Sequence, residues 1–212
     1  MSARAPADQN VMDRGFTLIE FLMAMFVFSI LSTMVLAISG RFFSTSTSAT
    51  EIFNNTSAAQ NVMDRLTKEI RAAVYEGSSP ETPIVAATPT SLTFYAALGA
   101  ATGPTEVVFT LSNKTLTESD YPAVSNSGST WTYSTTPQIT LISSNVVNPT
   151  GTALFSYFTT TGPEPYPQTF TTPETTDTIE SIGIDLVVQQ NAAGNAATLV
   201  SQVYLLNVDY AS

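Results

Sequence analysis

The chain of 212 residues contains no cysteine and no histidine. Without thiols it can form no disulfide, no thiolate metal site and no cysteine nucleophile. Without imidazole it lacks the commonest general base and a frequent metal ligand. Its serines therefore have no Ser-His-Asp arrangement to join, and neither a Gly-x-Ser-x-Gly elbow nor a phosphate-cradling glycine motif occurs. Positive charge is also scarce. Lys and Arg total 7 against 17 Asp and Glu, for a net charge of −10. Beyond Glu76 the only basic residue is Lys114, facing ten carboxylates. Such a surface repels phosphate backbones, so nucleic acid is not an expected partner. Charged residues make up only 11% of the chain while 43% is hydrophobic. That composition fits an extracytoplasmic β domain rich in Ser and Thr, and is too apolar for a disordered acidic tail.

Proline is absent from Phe16 to Glu76, and over Phe16–Ile38 the sole charge is Glu20. The preceding segment Met1–Gly15 is polar and holds Arg4, Asp8, Asp13 and Arg14. An apolar run of about 18 residues or more is long enough to span a bilayer. Apolar residues occupy every face of this one, as in a membrane span or a buried core helix. A carboxylate in such a span costs about 2.5–3.5 kcal/mol on insertion scales and is expected to have a partner. A secretory signal peptide is the rival reading, but its apolar region runs only about 7–15 residues. Two basic residues precede the span and Arg41 follows it closely, so the positive-inside count is only indicative.

The run Gly15-Phe16-Thr17-Leu18-Ile19-Glu20, followed by the span, resembles the processing motif of type IV prepilins and type II secretion pseudopilins. The resemblance implies cleavage after Gly15 by a membrane aspartyl peptidase and N-methylation of the new terminal Phe16. It also implies that Glu20, five places into the mature chain, registers subunits by pairing with the amino group of Phe16. Implied partners are the prepilin peptidase/methyltransferase, other pilin or pseudopilin subunits and the inner-membrane assembly platform. No cofactor and no metal is implied. The expected location is the bacterial cytoplasmic membrane, single-pass with the C-terminal domain outside, and then a pilus or pseudopilus.

Apolar character returns at Ile52, Thr56, Ala59, Met63, Leu66, Ile70 and Ala73, steps that alternate four and three and form one helical stripe. Asp64, Arg65, Lys68, Glu69 and Arg71 lie off it, as on a solvated face. The segment Gln60–Arg71 also resembles the corresponding helix of the J-type and W-type minor pilins. The helix is expected to end near Tyr75-Glu76-Gly77, with Gly77 as its cap and Pro80 beyond. Continuous from Phe16 to Glu76, it would measure on the order of 90 Å.

Strands are expected at Ser91–Ala96, Glu106–Leu111 and Thr115–Thr117, with Ser112-Asn113-Lys114 as a hairpin turn. Further strands are expected at Thr130–Ser134, Gln138–Ile142 and Ala153–Thr159, then an Ile182–Val188 and Thr198–Val208 pair around Asn191–Asn195. Trp131, Phe155 and Tyr157 read as core or cross-strand packing. Thr117–Gly128 and the proline-rich Gly162–Asp177 read as loops. Glu174, Asp177 and Glu180 could offer oxygen to calcium, but their spacing matches no calcium loop. Asn54-Asn55-Thr56 and Asn113-Lys114-Thr115 fit glycosylation sequons.

The expected fold class is α+β, type IV pilin-like, with a long N-terminal helix whose second half packs on a mainly antiparallel sheet. The expected order is a leader at 1–15, a transmembrane or filament-core helix at 16–38, an amphipathic continuation at 39–76 and a β-rich domain at 77–212. Two function classes follow. One is a structural minor pilin or pseudopilin; the other is a membrane-anchored, adhesin-like binding protein that does not polymerise. An enzyme is a distant third.

Overall fold

The computed structural model describes residues 17–75, 83–99, 103–128, 130–159, 162–163, 176, 178–191 and 194–205. The chain divides into two compact units, Met1–Thr47 and Ser48–Ser212. Helix α1 runs from Leu18 to Arg71. In the first unit its large apolar side chains are exposed throughout: even Ile30, the most covered of them, is 42% exposed. Ser39 and Gly40 lie inside the helix.

In the second unit α1 buries Asn55, Ala59, Val62, Met63, Leu66 and Ile70. The expected stripe holds at Ala59, Met63, Leu66, Ile70 and Ala73, but Ile52 is exposed, Thr56 is only half-buried, and Asn55 and Val62 are buried instead. Asn55 owes its burial to two backbone partners. Its Nδ2 donates to Asn195 O at 2.6 Å, and its Oδ1 accepts from Gln190 N at 3.0 Å. Asn191 Nδ2 reaches Glu51 Oε1 at 3.2 Å, so two helical residues hold the tip of the last hairpin. An asparagine amide can satisfy one donor and one acceptor at once, which no aliphatic side chain can do.

The helix ends at Arg71, earlier than its sequence pattern predicts. Ala72 N and Ala73 N bond back to Glu69 O and Ile70 O in a tightened last turn. Val74 N then donates to Tyr95 O, and Ala97 N donates to Ala72 O. A strand edge captures the chain before the glycine is reached; Gly77 and Pro80 lie outside the described residues.

The strands are β1 Ile84–Ala87, β2 Ser91–Ala96, β3 Thr105–Ser112, β4 Thr115–Ser127, β5 Thr130–Tyr133, β6 Gln138–Ser143, β7 Phe155–Thr159, β8 Gly162–Pro163, β9 Ile179–Val188 and β10 Ala197–Tyr204. They form a six-stranded sheet ordered β1-β2-β3-β4-β5 with β6 also on β4, and a four-stranded sheet ordered β10-β9-β7-β8. Every pairing among these strands is antiparallel. The β3–β4 turn places Asn113 and Lys114 at φ 49° and 68°, the twist that a two-residue hairpin requires.

Two expectations change. Thr117–Gly128 is not a loop: nearly all of it belongs to β4, where Leu116 and Glu118 alternate inward. The inward Glu118 disguised the strand, because an acid at a core position breaks the apolar period. Strand β1 was missed, being four residues long. Of the Gly162–Asp177 stretch, Gly162–Pro163 pairs with β7 as β8, Thr176 is buried, and the remainder, with Glu174 and Asp177, lies outside the described residues.

One core joins the second unit's part of α1 to both sheets, gathering Leu66, Ile70, Phe94, Phe109, Phe155, Ile182 and Leu186 among others. Phe109 of β3 lies between Phe94 of β2 and Phe155 of β7, with ring centroids 5.7 Å and 6.4 Å away. Tyr157, buried on β7, donates its hydroxyl to Thr88 O at 2.7 Å, and that burial pushes its pKa up. Asn148 stitches the β6–β7 connection to β9, giving Nδ2 to Asp185 O and accepting from Val187 N. Trp131 is half-buried, its ring 2.6 Å from where a Cβ on Gly103 would lie, so a larger residue there would displace the indole.

Candidate functional site

Two places combine unusual chemistry with defined geometry. The first is the start of α1. Thr17 Oγ1 accepts from the backbone N–H of Glu20 at 3.3 Å. Glu20 Oε2 in turn accepts from Thr17 N and from Thr17 Oγ1, each at 3.2 Å. This reciprocal pattern is a capping box, which satisfies two of the N–H groups that a helix start leaves open. A cap of this kind is worth about 1 kcal/mol in water. Within lipid each unmet backbone group costs several kcal/mol, so the box matters more there. The Thr-x-x-Glu spacing was legible in the sequence, where Glu20 was read only as an assembly residue. Among the described residues Glu20 Oε1 accepts no hydrogen bond, which leaves half of the carboxylate available. Gly15 and Phe16 lie outside the described residues.

From this turn onward the helix presents Leu18, Ile19, Phe21, Leu22 and their successors outward, and it is long and apolar enough to cross a membrane. Residues 11–36 match the family model for the prokaryotic N-terminal methylation motif, which is typical of type IV pilins and pseudopilins. The chain is type IV pilin-like. A search of curated proteins finds no significant match. The matched segment spans the Gly15–Phe16 junction and Glu20, and it supports processing by prepilin peptidase and assembly with other pilin subunits.

The second place lies in the globular unit of this pilin-like chain. Arg65 of α1 forks onto Glu118 of β4, with Nε to Oε2 and Nη2 to Oε1 both at 2.7 Å. Arg65 Nε also lies 3.2 Å from Glu69 Oε1. Glu118 is 1% exposed, and Phe109 sits across from it in the β3–β4 register. Asp120 follows two residues along β4, on the same face. The expected solvated face is thereby corrected: Asp64, Lys68 and Arg71 are exposed, but Arg65 and Glu69 turn towards the sheet. Local periodicity could not reveal this, because Arg65 and Glu118 are 53 residues apart.

The cluster shifts its own protonation. The fork onto Glu118 pushes the Arg65 guanidinium up. Burial, then the Glu118 charge, pushes Glu69 up to about 7, and the same causes push Asp120 up to about 6. Beside Arg65 a pocket of about 470 Å³ opens between α1, the end of β6 and the end of β9. Its polar lining is mostly amide and hydroxyl, from Asn61, Ser143, Ser144, Asn145 and Gln190. A pocket of about 240 Å³ opens beside Asp120 and Gln138.

Proposed function

We propose that the chain is a minor pilin or pseudopilin. It is made with a leader at 1–15, cleaved after Gly15, N-methylated at Phe16, and assembled through its N-terminal helix into a type IV pilus or a type II secretion pseudopilus. In this reading 16–38 crosses the cytoplasmic membrane before assembly and lies in the filament core afterwards. Residues 39–76 continue the helix, and 77–212 form the domain outside the cytoplasm. The inner-membrane assembly platform receives the subunit. The supporting observation is the methylation motif running directly into a helix whose large apolar side chains from Leu18 to Ile38 are all exposed. Such a surface needs lipid or neighbouring helices to cover it.

Glu20 supplies the register. One of its carboxylate oxygens serves the helix cap, and in this reading the other receives the amine freed on Phe16 in the same or an adjoining subunit. A charge pair in low dielectric rewards only close, well-oriented approach, and so selects one axial position. Mass spectrometry of the native N-terminus tests the reading: a mature chain starting at N-methylated Phe16 is expected. Recovery of the chain with Met1–Gly15 still attached, from cells able to assemble filaments, would overturn it and leave a membrane-anchored binding protein. Glu20→Ala is expected to stay processed and membrane-bound while its incorporation into filaments falls about tenfold, the equivalent of about 1.4 kcal/mol. Wild-type incorporation of that variant would remove the register role.

A further inference from the structure

We propose that Arg65, Glu69, Glu118 and Asp120 form a proton-binding latch between α1 and the six-stranded sheet, tighter in mild acid than in mild alkali. The proposal is independent of the assembly reading. Carboxylates outnumber the guanidinium three to one in this cluster. Arg65 spends its fork on both oxygens of Glu118 and touches only one oxygen of Glu69. Glu69 Oε2 and Asp120 Oδ1 are shielded from solvent and find no hydrogen-bond partner among the described residues. A buried acceptor without a donor is costly, and more so when it carries charge. One proton changes that arithmetic: a carboxylic acid becomes a donor to the next carboxylate, and like charges held together share it.

Among the described residues, nothing packed against the cluster supplies a substitute cation. Opposite Glu118 and Asp120, β3 presents Phe109 and Val107, and β6 presents Thr140 and Gln138. On α1 the charged neighbours Asp64, Lys68 and Arg71 are exposed. Lys114 is exposed at the far hairpin turn. The pockets beside Arg65 and Asp120 let water and protons reach the cluster without unfolding.

The sign follows from the raised acidities of Glu69 and Asp120. A carboxyl that holds its proton more tightly when folded stabilises the fold fully below its unfolded value, and that contribution is lost as pH rises through the folded value. For Glu69 the window runs from its ordinary 4.5 to about 7, and for Asp120 from 3.8 to about 6.

The test uses the full chain in detergent micelles, melted at several pH values. The wild-type midpoint is expected to fall by about 5 °C between about pH 5 and about pH 8. Glu69→Gln is expected to abolish most of that fall, Asp120→Asn to reduce it, and Asp64→Asn, exposed on the same helix, to leave it intact. Carbon NMR of the wild-type side chains provides a readout that needs no variant to fold, with Glu69 expected to titrate near neutrality. A Glu69 carboxyl titrating in the ordinary range would overturn the latch. So would an unchanged pH slope in both Glu69→Gln and Asp120→Asn. Restoration of the alkaline midpoint by millimolar calcium would also overturn it, in favour of a cation site.

Discussion

Arg65→Leu is expected to cost the Ser48–Ser212 unit about 3 kcal/mol at neutral pH. The substitution keeps an aliphatic stem on the helix, so little packing is lost. What it removes is the fork that compensates Glu118, leaving a carboxylate with 1% exposure beside Phe109. Breaking such a pair from one side strands the surviving charge, which is why the cost exceeds that of an exposed ion pair. The pocket next to Arg65 admits water and keeps the figure at the lower end of the usual range. Denaturant titration of the full chain in micelles measures it. Arg65→Lys should recover only part of the loss, since an ammonium cannot reproduce two parallel N–H bonds. The double variant Arg65→Leu, Glu118→Leu should be more stable than Arg65→Leu alone, because no buried charge is then left unpaired. A double variant no better than the single one would mean that packing, not charge, explains the loss.

Phe109→Ala is expected to be the more damaging change, at about 3–5 kcal/mol. Its side chain is fully buried, and its ring stands between Phe94 on its own sheet and Phe155 on the other. Truncation removes a large transfer term and leaves a cavity where the two sheets meet, a region that cannot collapse without bringing β3 and β7 together. Phe109→Leu should cost clearly less. Ile139→Ala on β6, where the side chain is 69% exposed, should be close to neutral and serves as the control. Equal effects at Phe109 and Ile139 would mean that the two sheets do not share one core in solution.

The two predictions rest on features of differing legibility. Phe109 was readable: Val107, Phe109 and Leu111 recur at every second position between Glu106 and Ser112, and a period of two assigns them to one face of a strand. The hairpin at Asn113-Lys114 and the last strand pair were equally plain, because turn residues and alternation act over a few positions. Helix termination was not. Gly77 and Pro80 mark a stop, yet backbone bonds from Val74 and Ala97 end the helix at Arg71 first. Strand β4 was misread because Glu118 and Asp120 look like loop residues until Arg65 is brought to them. Asn55 falls in the same class, its amide paired with backbone 135 and 140 residues away.

By itself the sequence determined the membrane-capable helix, the methylation motif at its start, the amphipathic stripe and the antiparallel character of the domain. Each depends on composition or on a period of two or 3.6, which neighbouring residues express without help from the rest of the chain. Only the tertiary structure decided where the helix stops, how the strands divide into two sheets, and why a row of apparently solvated charges contains an arginine that forks onto a buried acid of another element. Those outcomes depend on what lies opposite each residue after folding, and contacts across 53 residues leave no local trace in the chain.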